Sequence, residues 1–131
     1  KKKIILNLDN YKQDVLMHRS VEITYGIRNF IGNAVKFSKS KVTVNLDTNS
    51  KKIKISIFDD GPGFPEDVSS RIGQPYVVTR LENLSSKAGL GLGTFIGKTL
   101  LERKKASLNF SNLKKEGALV TIEWNISDIT I

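Results

Sequence analysis

The sequence has no cysteine and a single histidine. The first absence excludes a disulfide framework, thiolate zinc and a cysteine nucleophile, and it suits a reducing compartment. The second excludes a histidine-rich metal centre or a multi-histidine relay. No apolar run reaches the ~18–20 residues that a membrane span requires. The start, Lys1-Lys2-Lys3-Ile4-Ile5-Leu6, turns polar at Asn7 and does not read as a signal peptide. An initiator methionine is also missing, so we expect a piece of a longer protein. The length of 131 residues predicts one domain over 1–131, large enough to bury a core without a staple.

What is abundant is positive charge: 21 basic against 13 acidic residues, a net +8. Such a balance fits a polyanionic partner, whether nucleic acid, anionic lipid or nucleotide phosphates. The lysines are scattered, however, from Lys36, Lys39 and Lys41 to Lys104, Lys105, Lys114 and Lys115, and form no run of five or six. Dispersed charge of this kind reads mainly as solvated surface. The basic segments also lack the interleaved aromatics of a single-strand binder, so no nucleic-acid partner is expected.

Periodicity gives the organisation. Ile4–Leu8 and Val15–Arg19 read as short strands. Val21, Ile23, Ile27, Phe30, Ile31, Ala34, Val35 and Phe37 recur at helical spacing behind Ser20, a plausible N-cap. Val42, Val44, Leu46 and then Ile53, Ile55, Ile57 alternate, predicting two antiparallel strands joined at Thr48–Lys51. Residues 61–90 have little periodicity beyond one or two turns after Pro65, the pattern of a lid or binding loop. A second helix opens at Gly89-Leu90-Gly91-Leu92-Gly93, with Leu92, Phe95, Ile96, Leu100 and Leu101 expected on its apolar face. Ser107–Ser111 and Leu119–Ile126 read as strands around a turn at Lys114–Gly117. No helix regularly separates consecutive strands. The expectation is therefore α+β, a mostly antiparallel or mixed sheet with helices on one face.

Three clusters carry chemistry. Gly89, Gly91 and Gly93 head a helix, where unpaired N–H groups and the positive dipole end suit phosphate and the missing side chains let it approach. The dinucleotide pattern G-x-G-x-x-G fails here. Gly97-Lys98-Thr99 ends like a P-loop, but the leading glycine would have to stand at Leu92. Asp59-x-Gly61-x-Gly63 follows a strand directly, and a carboxylate there accepts from an exocyclic amine such as that of adenine. Acidic residues at the EF-hand intervals are absent. Asn29 and Asn33 are four apart and share a helix face, with Lys36 on roughly the same side. An amide oxygen is a hard neutral ligand suited to magnesium bridged to phosphates.

Together these clusters resemble the ATP-binding catalytic domain of sensor histidine kinases, in the superfamily that includes gyrase, Hsp90 and MutL. The N box is Asn29-Phe30-Ile31-Gly32-Asn33-Ala34, the first glycine box Asp59-Asp60-Gly61-Pro62-Gly63-Phe64, and the second Gly89-Leu90-Gly91-Leu92-Gly93. Their order and spacing match across essentially the whole chain. The segment Ile72-Gly73-Gln74-Pro75-Tyr76-Val77-Val78-Thr79-Arg80 and the helix Thr94–Arg103 look most like the redox-responsive RegB/PrrB branch.

The resemblance implies a two-layer Bergerat-type α/β sandwich with a mobile lid over about 61–90, and ATP and Mg²⁺ as ligands. It implies that Asn33 ligates Mg²⁺, Asp59 takes the adenine amine, and Thr121 supports the base through water. Gly61 and Gly63 would let adenine reach the backbone. Lys36 and Arg80 would contact phosphate, and Phe37 would line the nucleotide. Ile72 and Tyr76 would belong to the lid, with Gly89, Leu90, Gly91, Leu92 and Gly93 shaping it. Asn29 stands where the superfamily's ATPases carry a glutamate that activates water. An amide cannot serve as that base, which favours phosphoryl transfer over hydrolysis. His18, in Leu16-Met17-His18-Arg19-Ser20, does not match the family's acceptor box and reads as a surface histidine. The implied partners are a histidine-containing dimerisation domain of the same kinase and a downstream response regulator. The implied parent is a membrane-anchored homodimer with this part on the cytoplasmic side. The rival readings are an anti-sigma-type serine kinase, an ATPase of the same superfamily, a basic nucleic-acid module and a pseudokinase.

Overall fold

The computed structural model describes residues 2–12, 15–64, 92–113 and 117–130, with Leu92 and Gly93 described by backbone only. The elements are β1 (Lys3–Asn7), α1 (Val21–Phe37), β2 (Lys41–Thr48), β3 (Lys52–Asp59), α2 (Leu92–Arg103), β4 (Ser107–Asn112), β5 (Ala118–Asn125) and a short α3 (Ile126–Ile129). The strands form one sheet in the order β1-β2-β3-β5-β4. β1 pairs with β2 in parallel, and the remaining neighbours are antiparallel. This is the mixed sheet expected from the sequence.

Helix α1 begins where Ser20 Oγ accepts from the backbone N–H of Ile23 at 3.2 Å, satisfying one of the orphan donors of a helix start. At its other end Ser38 Oγ and Lys2 Nζ donate to Val35 O at 2.8 and 2.7 Å, so a cation meets the negative end of the helix dipole. The β2–β3 hairpin turns on Asn49, whose Oδ1 accepts from the N–H groups of Lys51 and Lys52, both at 2.8 Å.

Side chains alternate across strands, so register decides which residues share a face. Val44, Ile57, Val120 and Phe110 stand in one row across β2, β3, β5 and β4, and Leu46, Ile55, Ile122 and Leu108 stand in the next. These rows, with Val42, Ile53 and Trp124, meet Ile23, Phe30 and Ala34 of α1 and Leu101 of α2 in a single core. Trp124 is buried there, and its indole N–H donates to Lys104 O at 3.1 Å.

Three expectations change. The segment 15–19 forms no strand, only one antiparallel bridge between Met17 and Thr130. Val21, counted on the apolar face of α1, is exposed. The buried side of α2 is Thr94, Gly97 and Leu101, while Phe95, Ile96 and Leu100 are only partly covered. Its cause is close helix–helix packing. A Cβ at Gly26 of α1 would lie 2.4 Å from Leu101 Cγ, so the helices meet where side chains are smallest. Of the expected lid, residues 65–90 lie outside the described residues.

Candidate functional site

The first glycine box leaves the sheet at the end of β3. Asp59 closes that strand on the core face, paired with Val42, and is 7% exposed. Its Oδ1 accepts from the N–H of Gly61 at 2.8 Å and lies 3.4 Å from that of Ala118. Among the described residues Oδ2 has no hydrogen-bond partner. A carboxylate oxygen held in place and unclaimed is the donor-seeking group that an exocyclic amine needs. Two glycines make room around it. A Cβ at Gly61 would stand 2.1 Å from Phe37 O, and one at Gly117 would stand 2.0 Å from Asp59 O. Gly117 also has a φ of +113°, which side chains with a Cβ rarely adopt.

Asp60, one residue on, points elsewhere. It accepts from the hydroxyl of Ser40 at 2.6 Å and from the N–H groups of Lys39, Ser40 and Lys41. This fastens the α1–β2 loop to the glycine box. The Ser40 hydroxyl, then the backbone N–H groups, hold the carboxyl far below the ordinary carboxylate range against the cost of desolvation. A depressed folded-state value stabilises the fold above the unfolded value of ~3.9 and ceases to do so as pH falls through the folded one. Asp60→Asn keeps one acceptor oxygen and loses the charge. We expect it to melt below the wild type by a margin constant from neutral pH to about pH 4 and shrinking below that. Melting curves across pH check this; an undiminished margin at pH 2 would contradict it.

Asn29 and Asn33 lie half-buried on α1, one turn apart. Asn33 Nδ2 donates to Thr94 Oγ1 at 3.0 Å and reaches Asn29 Oδ1 at 3.4 Å. Among the described residues Asn33 Oδ1 is unclaimed. It is an amide oxygen of the kind that suits Mg²⁺, so the residues fit that ion. Thr94 is 1% exposed and sits in the first turns of α2, directly after the second glycine box. Lys36 is exposed on the last turn of α1, and Phe37 is half-buried at its end.

Helix α1 is thus common to all three motifs. Its C-terminal half touches the start of α2 through Asn33, and its last carbonyl abuts Gly61. Gly63 follows in the same turn, and Phe64 is anchored by Asn112 of β4. Phe64 N–H donates to Asn112 Oδ1 at 2.7 Å, and Asn112 Nδ2 donates to Phe64 O at 3.0 Å. Phe64 also meets Phe110 edge-on at 6.0 Å, and Phe110 meets Phe30 at 5.7 Å.

Not every predicted residue joins this site. Thr121 pairs with Ser56 and Asn109, on the face of the sheet opposite Asp59. The expected role beside the base is corrected by this register, because adjacent strand positions point to opposite faces. Phe58, beside the first glycine box in sequence, pairs with Thr43 and Leu119 on that same outer face. Ile72, Tyr76, Arg80, Gly89, Leu90 and Gly91 lie outside the described residues, and for Leu92 and Gly93 only the helical backbone is placed. Sequence reasoning missed the anchoring roles of Asp60, Thr94 and Asn112. For Thr94 a signal existed: a hydroxyl at the head of a helix, directly after the glycine box.

Comparison with known proteins agrees with this geometry. The chain is 37% identical to the sensor histidine kinase RegB of Cereibacter sphaeroides, over 92% of this chain and 29% of that protein. It is 28% identical to a putative NtrY-like sensor histidine kinase of Rickettsia bellii, over 72% of this chain and 14% of that protein. The chain therefore spans less than a third of the RegB sequence it matches. Full-length ShkA in complex with AMPPNP superposes with a TM-score of 0.75 at 23% identity, covering 98% of this chain and 26% of that one. The catalytic domain of the histidine kinase ThkA, in a nucleotide-free form, superposes at 0.73 with 21% identity, covering 95% and 79%. These likenesses establish the fold as that of histidine kinase catalytic domains, the Bergerat arrangement expected from the motifs. Residues 19–128 match the family described as histidine kinase-, DNA gyrase B-, and HSP90-like ATPase, and the chain belongs to that family.

Proposed function

We propose that the chain binds ATP with Mg²⁺ and donates the γ-phosphoryl group to a histidine on a separate dimerisation domain. The parent is then a two-component sensor kinase. The observation that carries this reading is a pair of acceptors beside one helix, both unclaimed among the described residues. Asp59 Oδ2 waits near its C-terminal end and Asn33 Oδ1 about one turn before that end. The first suits a base amine and the second a cation on phosphates. Held there by Asn33, Mg²⁺ would supply charge neutralisation on the phosphates.

This chain's own residues position rather than react. Asp59 orients the base. Gly61 admits it against the backbone. Asn33 fixes the cation end, and Lys36 adds positive charge one turn from Asn33. Asn29 has no basicity at neutral pH, so no side chain at that position removes a proton from water. Little hydrolysis follows, and the phosphoryl group is kept for another nucleophile. His18 is exposed, outside α1 and β1, and is no acceptor in this reading. The partners are the dimerisation domain, a response regulator downstream, and a second copy of a membrane-anchored parent with this part on the cytoplasmic side. No helix among the described residues is long and apolar enough to cross a membrane.

The test is a calorimetric titration with a non-hydrolysable ATP analogue, with and without Mg²⁺, on wild type and Asn33→Ala. We expect binding by the wild type, about tenfold tighter with Mg²⁺, and loss of that metal-dependent gain in the variant. No binding by the wild type would remove the reading.

A further inference from the structure

We propose that the exposed stripe on the N-terminal half of α1 is the docking groove for the acceptor segment of the dimerisation domain, and that it selects carboxylates beside the histidine. The inference rests on the phosphotransfer reading above and names the surface that reading requires. On that reading the base lies by the C-terminal end of α1, where Gly61 abuts Phe37 O, and the cation lies by Asn33, one turn nearer the N-terminus. The phosphate chain then runs toward the N-terminal half of the helix. In-line transfer brings the nucleophile to the side of the γ-phosphorus away from the leaving oxygen. A histidine nitrogen supplies the electron pair of the new N–P bond, the bond to the bridging oxygen breaks, and that pair stays on ADP. The proton on the other ring nitrogen passes to water. The acceptor therefore arrives beyond Asn29, from the N-terminal side.

A groove of about 560 Å³ lies on that side. It is lined by Arg19, Val21, Thr24, Tyr25 and Arg28, and it reaches Asn29. Positions 21, 24, 25 and 28 share one helix face, opposite Ile23, Gly26 and Phe30 on the buried side. Val21 is 79% exposed and Tyr25 is 43% exposed, so the face presents large apolar groups to solvent. An arginine stands at either end of them. Among the described residues neither guanidinium meets a carboxylate. Glu22, the acid of the first helical turn, is paired with Lys104 at 3.7 Å instead. The groove thus offers two forked donors with an apolar floor between them. That pattern fits a segment whose carboxylates flank an apolar contact. A second copy of this chain is the poorer occupant, because two bodies of net charge +8 repel.

The experiment places Arg28→Lys, Arg28→Glu and the pair Arg19→Glu with Arg28→Glu in the full-length parent kinase and in the 131-residue chain. In the 131-residue chain, AMPPNP with Mg²⁺ should bind within about twofold of wild type in every case, because these side chains stand outside the nucleotide site. In the parent, histidine phosphorylation at saturating radiolabelled ATP should fall about tenfold in Arg28→Glu and further in the pair, and Arg28→Lys should keep most of the rate. Added salt should slow the wild type and speed the pair, whose groove then repels carboxylates. A merely structural loss would not reverse that sign. Phosphorylation of Arg28→Glu and of the pair at the wild-type rate overturns the docking surface and leaves phosphotransfer standing. A matching loss of AMPPNP affinity overturns it too, because the groove then serves the nucleotide. So does a dimer of the 131-residue chain that Val21→Glu dissolves, because the groove then serves a second copy. No phosphohistidine in the wild-type parent overturns both readings.

Discussion

Asp59→Asn is expected to weaken ATP-analogue binding by about 100-fold or more while leaving the protein folded. The asparagine oxygen can take over the role of Oδ1, which accepts from Gly61 and Ala118 in the native protein. That choice leaves Nδ2 where the unclaimed carboxylate oxygen stood. A donor then meets the adenine amine, itself a donor, and one charge-assisted bond is exchanged for a repulsive contact. The opposite rotamer saves the amine contact and abandons two backbone N–H groups in a site that is 7% exposed. Neither solution restores the native pattern. A nucleotide with a carbonyl at that place should lose far less, so the preference for adenine over guanine narrows. Titration of both analogues against both proteins measures this. Binding of the ATP analogue within threefold of wild type would show that Asp59 does not read the base.

The largest effect on stability is expected at Gly61. In Gly61→Ala the new methyl carbon would stand 2.1 Å from Phe37 O and 3.0 Å from Phe37 C. Both are backbone atoms at the end of α1, so no side chain can swing away to relieve the contact. The turn or the helix end must move, at a cost of about 3 kcal/mol. The displaced N–H is the one that orients Asp59, so nucleotide affinity should fall as well. Gly32→Ala is the control. Nothing lies within 4 Å of its Cβ in the middle of α1, and there the same substitution should add about 0.5–1 kcal/mol through helix propensity. Urea midpoints at unchanged slope measure the two, and opposite signs are expected. A Gly61→Ala protein within 1 kcal/mol of wild type would falsify the account of this turn.

The site was more legible in the sequence than the packing around it. The three boxes could be read because a strand end, a helix face and a helix head each demand particular residue types at short fixed spacing. Asp59, Asn33 and Gly61 were singled out that way. Thr121 was misplaced because its strand was recognised but its face was not considered. The alternation did contain the answer: Val120, Ile122 and Trp124 share one face, and Thr121 falls between them. The buried side of α2 was misjudged for another reason. Apolar spacing weights large side chains, whereas two helices in close contact select Gly26, Gly97 and Thr94 for being small. Such contacts depend on a partner helix 61 or more residues away along the chain, which local periodicity does not contain. Asp60 and Asn112 were illegible for the same reason, because what they hold lies on other elements.

Because Asn33 and the carbonyl of Phe37 that abuts Gly61 belong to one uninterrupted helix, the rise between them is set by helical pitch. Four residues at 1.5 Å each make that span about 6 Å. Side chains can adjust around it, but the span itself cannot stretch. On the proposed reading, helix α1 would work as a ruler for the ligand, and a single residue inserted between Asn33 and Phe37 would turn the far mark by about 100°. The protein would still fold a helix there, but one that measures a different molecule.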